Sequence, residues 1–282
     1  MILVDFNQVC IANFMSQVGN HTNVKIEEDL VRHMVLNSIR MIRSKFSEKY
    51  GEIVICSDNR KYWRREIFPY YKANRKKDRD KSDVDWHSLF TFLNKIREEL
   101  RDHFPYKVLN VEGAEADDII GTLVKKYSDS GEHILVVSSD KDFMQLQKYA
   151  NVDQYSPIMK KFVRTDDPNK YIFEHILKGD RGDGIPNFLS DDDTFVMGKR
   201  QKPLSKKRID TVRENGIESL GPDGERGYYR NRQLVDLDYI PDNITDKILN
   251  EYYSSVPNSR SNLLNYFIKH KLKNLMETIG EF

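Results

Sequence analysis

The chain has 282 residues with a net charge of +1, 32% charged residues and 11% aromatics. That length buries a substantial core as one large domain or two modest ones, and the near-neutral balance by itself points to no polyanionic partner. No stretch approaches the ~18 apolar residues of a membrane span. The apolar opening from Met1 to Met15 carries Asp5 and no basic flank, which argues against a secretory leader. Cys10 and Cys56 lie in or beside apolar runs and read as buried thiols rather than a disulfide pair. The expectation is a soluble protein of a reducing cytosol, with no membrane partner.

The first predicted strand, Ile2-Leu-Val-Asp5, is followed by a loop and a helix over about 26–46, with Leu30, Met34, Val35, Ile39, Ile42 and Phe46 at helical spacing. Strand 53–56 ends near Asp58 and leads into a basic segment. A helix over 86–104 carries Leu89, Leu93, Ile96 and Leu100 on one face and stops at Pro105. Strand 107–111 feeds a helix over 114–127 that begins near Glu115, Asp117 and Asp118. Strand 133–137 runs on to Asp140 and Asp142, and segments 152–155 and 161–163 read as a hairpin or two edge strands. Beyond about 169 the pattern turns to short helices at 171–178, 206–214, 244–253 and 261–278. We expect an α/β fold: a Rossmann-like (PIN-like), mostly parallel sheet with helices on both faces, then a helical region. The soft boundary places a core at 1–168 and a second region at 169–282.

Every predicted core strand delivers its acid at the same end, and ligands of open α/β sheets bind outside the carboxyl ends of their strands. A single Asp there is usually a cap or turn residue, and acids at a helix start gain from the macrodipole. Neither explains nine together. Asp5, Asp58, Glu115, Asp117, Asp118, Asp140, Asp142, Asp180 and Asp183 would repel one another unless divalent cations neutralise them. Oxygen donors suit Mg²⁺, with Mn²⁺ as a substitute, and two ions sharing such a cluster can drive phosphodiester hydrolysis. The seven His are scattered, with no zinc-like grouping.

Residues 60–81 hold ten Lys/Arg against three acids, a local +7 that leaves −6 for the rest of the chain. Arg64, Arg65, Lys72, Arg75, Lys76 and Lys77 interleave with Tyr62, Trp63, Phe68, Tyr70 and Tyr71. Cations track a phosphate backbone while aromatic faces stack on unpaired bases. Pro69 forbids one continuous helix, so two short helices or a partly disordered lid are expected. Lys199, Arg200, Lys202, Lys206, Lys207 and Arg208 form a second run suited to gripping duplex backbone, or else a solvated loop.

Taken together, these motifs resemble the flap endonuclease and 5′ nuclease family, most closely its tailed-phage ribonuclease H branch. The likeness rests on Leu3-Val-Asp-Phe6, Ser57-Asp58, Tyr71-Lys-Ala-Asn-Arg75, Glu115-Ala-Asp-Asp118, Ser138-Ser-Asp-Lys-Asp142 and Gly179-Asp-x-x-Asp183 with Ile185-Pro186. It implies a nuclease core with a helical arch at about 60–85 and a helix-three-turn-helix that holds duplex DNA. By this resemblance Asp5, Asp58, Glu115, Asp117 and Asp140 form or support one Mg²⁺ site. Asp142 and Asp183 form the second, with Asp118 and Asp180 in support. Lys72 and Arg75 match cations that engage the scissile phosphate, Arg64 and Arg65 add phosphate contacts, and Tyr71 stacks on the terminal base. Asn187 to Thr194 replaces the family's Gly-rich turn after Ile-Pro.

The activity implied is 5′-to-3′ removal of RNA primers and adjacent DNA from lagging-strand fragments, with flap cleavage. Lys72, Arg75, Asp117 and Asp140 are the residues closest to the chemistry. The substrates implied are RNA/DNA hybrid and branched or flap duplex DNA, acted on by a monomer in a host cell's cytoplasm. A sliding clamp and a single-stranded DNA-binding protein are candidate partners. The chain opens on its first strand, so no N-terminal tail is expected to reach a clamp, and the C-terminal Glu281-Phe282 is a candidate that its composition does not single out. Two other readings stand beside this one: a PIN-like RNA endonuclease, and a non-catalytic junction-binding protein.

Overall fold

The short Val/Ile/Leu runs become buried strands because each lies in a sheet covered on both faces. A computed structural model describes residues 1–18 and 26–282. Its sheet has six strands: β1 (Ile2–Asp5), β2 (Ile53–Cys56), β3 (Lys107–Leu109), β4 (Ile134–Val137), β5 (Val152–Ser156) and β6 (Lys161–Val163), in the order β3-β2-β1-β4-β5-β6. All neighbours are parallel except β5 and β6, whose antiparallel pairing places Tyr155 opposite Phe162. The order reverses at β1, which pairs with β2 on one side and β4 on the other. That reversal opens a crevice at the carboxyl ends of β1 and β4, where open α/β sheets bind ligands.

Alternate residues of each strand point to opposite faces. Ile2, Val4, Ile55 and Val137 pack beneath α1 (Phe6–Val18), α2 (Glu28–Tyr50) and α5 (Trp86–His103). Leu3, Val54, Cys56 and Val136 pack beneath α6 (Ala116–Tyr127) and α10 (Asp242–Ser254). Cys10 and Cys56 are free, buried thiols. Among the described residues, no helix is long and apolar enough to cross a membrane.

Three elements depart from the sequence expectation. Residues 6–18 form a helix rather than a loop, and residues 19–25 of that expected loop lie outside the described residues. Its buried side chains Phe6, Val9, Cys10 and Phe14 fall at i, i+3, i+4 and i+8 on one face, with Ile11 and Met15 partly buried beside them, so the helical spacing is present in the sequence. A second unexpected helix, α9 (Gly221–Val235), begins Gly-Pro and contains Gly224 and Gly227, which argue against helix by propensity. Packing overrides them, because a Cβ at Gly227 would run into the Phe188 carbonyl. Finally, 261–278 divides into α11 (Leu263–Lys269) and α12 (Lys273–Met276), with Lys271 between them at φ 54°.

The helices after the sheet do not all stay apart from it. α7 (Pro168–Lys178) starts from an Asp167 cap with proline in its first turn. It packs with α8 (Lys206–Asn215) and α9 around Ile176, Leu177, Ile209, Tyr228 and Leu234. The chain then returns to the sheet. Leu263, Tyr266, Phe267 and Phe282 join the core that contains Ile2 and Val4. Phe282 is fully buried against Phe104 and Phe267, and Glu281 pairs with Arg40 at 2.7 Å, so Phe282 offers no ring to a partner.

Candidate metal centre

Asp5 ends β1 and doubles as a cap for the helix that follows, accepting from the Gln8 amide at 3.2 Å and the Ser138 hydroxyl at 2.9 Å. Asp58 lies two residues past β2 and accepts from the Ala116 amide at 2.8 Å, at the start of α6. Glu115 caps that helix through a reciprocal pair with Asp118. Asp117 stands in its first turn. Asp140 follows β4 and accepts from the Asp142 amide at 3.0 Å. Backbone and side-chain donors thus fix the strand-end acids while leaving lone pairs unused.

The acids fall into two electrostatic groups. Burial, then Asp58 and Asp140, push Asp5 up to about 7. Burial and the Asp142 carboxylate push Asp140 up to about 6. Asp117 is raised well above its ordinary value by burial and then Asp140, and burial also lifts Asp58. Glu115 and Asp183 go the other way. Burial would raise both, but Lys72 and Arg64 outweigh it at Glu115, and Lys72 and Arg75 outweigh it at Asp183.

Those cations come from the basic segment, which folds as two short helices, α3 (Arg64–Ile67) and α4 (Asn74–Arg79). Lys72 lies between them in a left-handed conformation (φ 56°), and its amide donates to the Asp183 carbonyl at 2.7 Å. Such a conformation is costly for a residue with a Cβ and persists only where the surroundings over-determine it. Here they do. Lys72 Nζ is 2.5 Å from Glu115 Oε1 and 3.5 Å from Asp183 Oδ2, while Arg75 pairs with Asp183 Oδ1. Tyr71 OH lies 3.0 Å from both Glu115 Oε2 and Asp183 Oδ2.

Two residues expected to face substrate do not. Arg64 is 2% exposed; it reaches Glu115 at 3.0 Å, Asp118 at 2.8 Å and the Leu234 carbonyl at 2.7 Å, so it is a buried counter-ion that ties α3 to α6 and α9. Tyr71 is likewise 2% exposed and has no free face on which a base can stack. Asp118 is wholly buried against Arg64 and Trp63 Nε1, inside the protein rather than in the crevice. Arg65, Lys76 and Lys77 are exposed.

The second basic run is mixed. Arg200, Lys206 and Lys207 are exposed, whereas Lys199 pairs with Asp193 at 2.9 Å and Lys202 with Asp191 at 3.3 Å. Asp192 pairs with Arg226 and Arg230, so the acidic segment that replaces the Gly-rich turn clasps α9.

Around the remaining acids the structure adds a residue that sequence spacing did not single out. The Gly179–Gly184 turn begins at φ 66° where a Cβ would strike the Ile185 carbonyl, and it brings Asp180 beside Asp142. His175, in the last turn of α7, joins them: Nε2 is 3.1 Å from Asp142 Oδ1 and 4.0 Å from Asp180 Oδ2. Burial lowers the His175 pKa, but Asp142 and then Asp180 outweigh it and the net shift is upward. No His–His spacing could have revealed it, because both neighbours are acids and one is far away in the chain. A cleft of about 440 Å³ adjoins the group, lined by Gln8, Asp140, Asp142, Tyr171, His175 and Asp180.

A family model described as the 5′-3′ exonuclease N-terminal resolvase-like domain matches residues 1–174, and a T4 RNase H C-terminal model matches 167–282. The chain is 38% identical to ribonuclease H of Enterobacteria phage T4, over 99% of this chain and 95% of that protein. This chain belongs to the 5′-3′ exonuclease family. It is therefore a nuclease, and its relatives include a 5′-3′ exonuclease of Buchnera aphidicola, 34% identical over 54% of this chain and 53% of that one. Among solved structures, the bacteriophage T5 D15 flap endonuclease, in a pseudo-enzyme–product complex with DNA and metal ions, has a TM-score of 0.62 at 19% identity. It matches 90% of this chain and 99% of its own. A zinc-bound T5 5′-exonuclease scores 0.63 at 18% identity over 90% and 98% of the two chains. These likenesses carry the fold. In this chain the basic segment meets the acids through Lys72 and Arg75, which pair with Glu115 and Asp183.

Proposed function

We propose that this 5′-3′ exonuclease family member is a Mg²⁺-dependent 5′-to-3′ nuclease that removes RNA primers and adjacent DNA and also cuts flaps. The observation that carries the reading is the set Asp5, Asp58, Asp117 and Asp140: four buried or partly buried carboxylates, each raised by burial and by a neighbouring carboxylate. Such a set suits hard divalent cations with oxygen ligands. These four, with Glu115 beside them, would hold one ion; Asp142 and Asp180, with Asp183 on the far side of the turn, would hold the second. When bound, the ions supply charge neutralisation at the phosphodiester and acidify a water nucleophile.

The chain's own residues do the rest. Lys72 and Arg75 are delivered to the acids by the arch base, so a phosphate held at the crevice meets two cations fixed by backbone contacts to the Asp183 turn. Exposed Arg65, Lys76 and Lys77 extend that charge along a departing single strand. Arg200, Lys206 and Lys207 lie after α7 and suit the phosphate backbone of an RNA/DNA or DNA duplex. The region from α7 onward serves as the duplex-binding unit. A clamp or a single-stranded DNA-binding protein would need a surface other than the buried Phe282.

A 5′-labelled RNA-primed duplex incubated with Mg²⁺ or EDTA tests the reading. Short 5′ products that appear only with metal are expected, internal RNA cuts would indicate an endonuclease instead, and binding without cleavage would overturn the proposal. In the same assay Lys72→Ala lowers the cleavage rate by roughly 10²-fold with little change in duplex affinity. Equal losses in both would make Lys72 a plain backbone contact.

A further inference from the structure

His175 is a nitrogen donor lining the cleft that an all-oxygen, two-ion site does not use. We propose that His175 is a nitrogen ligand of the second ion, forming with Asp142 and Asp180 a mixed triad that tilts this site from Mg²⁺ toward Mn²⁺ and later first-row divalent cations. The inference rests on the metal-dependent reading above and deepens it by naming a ligand and its consequence for selectivity.

Three observations carry it. The first is spacing: one donor atom from each of Asp142, His175 and Asp180 lies within 4.8 Å of the other two, with 3.1 Å and 4.0 Å between Nε2 and the nearest carboxylate oxygens. An octahedral ion with bonds of about 2.1 Å places adjacent ligands about 3 Å apart and opposite ligands about 4.2 Å apart, so the triad needs little rearrangement. The second is the state of Nε2. It is sealed from solvent yet has no hydrogen-bond partner, because the Asp142 oxygen beside it lies out of line with a hydrogen bond. A nitrogen set between two carboxylates and aligned for a hydrogen bond with neither is placed to meet a cation, which would take the position of its proton. The third is rigidity. Tyr171, one turn earlier on α7, stacks on the imidazole at 5.8 Å between centroids and 22° between planes, which holds the ring facing the cleft.

The chemical consequence follows from ligand type. Mg²⁺ takes oxygen donors and retains its waters, whereas imidazole favours the later first-row divalent cations. An imidazole in one site makes the two ion positions chemically unequal. The Asp5–Asp58–Asp117–Asp140 side stays a hard oxygen site, and the His175 side takes Mn²⁺ over Mg²⁺ and the later first-row ions more tightly still.

Pulsed electron paramagnetic resonance of the full-length protein loaded with Mn²⁺ and labelled with ¹⁵N-histidine tests this directly. We expect an imidazole ¹⁵N coupling to Mn²⁺ that disappears in His175→Gln, together with a fall of roughly tenfold or more in the Mn²⁺-over-Mg²⁺ affinity ratio. The wild-type coupling decides the point even if the variant folds poorly. Mn²⁺ bound with only oxygen couplings, and an unchanged ratio in the variant, would overturn the His175 assignment while leaving the two-ion reading in place. Failure to bind Mn²⁺ at all would overturn both.

Discussion

Glu115 and Asp183 meet the cations of the arch base, whereas Asp5, Asp58, Asp117 and Asp140 face one another at the strand ends. Both groups sit at the same edge of the sheet, yet the protein neutralises only one of them. The first group is structural electrostatics: each carboxylate repays its burial by fixing Lys72, Arg64 or Arg75. In the second group the folded chain tolerates repulsion that a compact fold would otherwise avoid. That difference separates acids already paired with the protein's own cations from acids left, among the described residues, without one.

Removing a charge should therefore have opposite effects on stability in the two groups. Asp117→Asn is expected to cut Mg²⁺-dependent cleavage by roughly 10³-fold or more while raising the melting temperature of the metal-free protein, because it relieves like-charge repulsion. A variant that cleaves like wild type would remove Asp117 from the site. A lowered melting temperature would dissolve the distinction between the groups. Glu115→Gln should do the reverse in calorimetry and lose about 3 kcal/mol of stability, since Arg64 and Lys72 would be left facing a neutral amide. A loss below measurement error would mean the arch base does not depend on that carboxylate.

A smaller effect is expected from pH. Asp5 and Asp140 titrate near 7 and 6 in the folded protein and near 4 when unfolded, so between those values the native state holds more protons. Stability of the metal-free protein should fall as pH rises from about 4 to about 7, and Asp5→Asn should flatten that slope. Glu115 and Asp183 are depressed, so their contribution is present above pH 4 and is lost only in acid. Saturating Mg²⁺ should reverse the fall by replacing protons with ions. Melting curves at pH 5, 6, 7 and 8, with EDTA or Mg²⁺, would show it; curves that match in both conditions would break the comparison.

The sheet and the acid row were legible because both obey local rules: short apolar runs make buried strands, and an acid two or three residues past a strand lands at its carboxyl end. The arch's two short helices followed from Pro69. What escaped was direction and distance. Arg64 and Arg65 are adjacent in a basic run, and only the fold shows that one points into the protein beneath Glu115 while the other faces solvent. Tyr71 reads as a stacking aromatic until the turn at Asp183 covers it. α9 was hidden by glycines whose reason is the Phe188 backbone far upstream, and His175 by partners that only tertiary structure brings near.

The burial of Phe282 has a consequence for how the protein is made. Its ring shares a core with Ile2 and Val4, the strand that carries Asp5. During synthesis the sheet can pair long before that core closes. Until residue 282 has emerged from the ribosome, Phe104 and Phe267 lack a neighbour, and the layer behind the first acid is incomplete. The layer behind Asp5 is thus closed by side chains from opposite ends of the chain, and it forms only after both have been made.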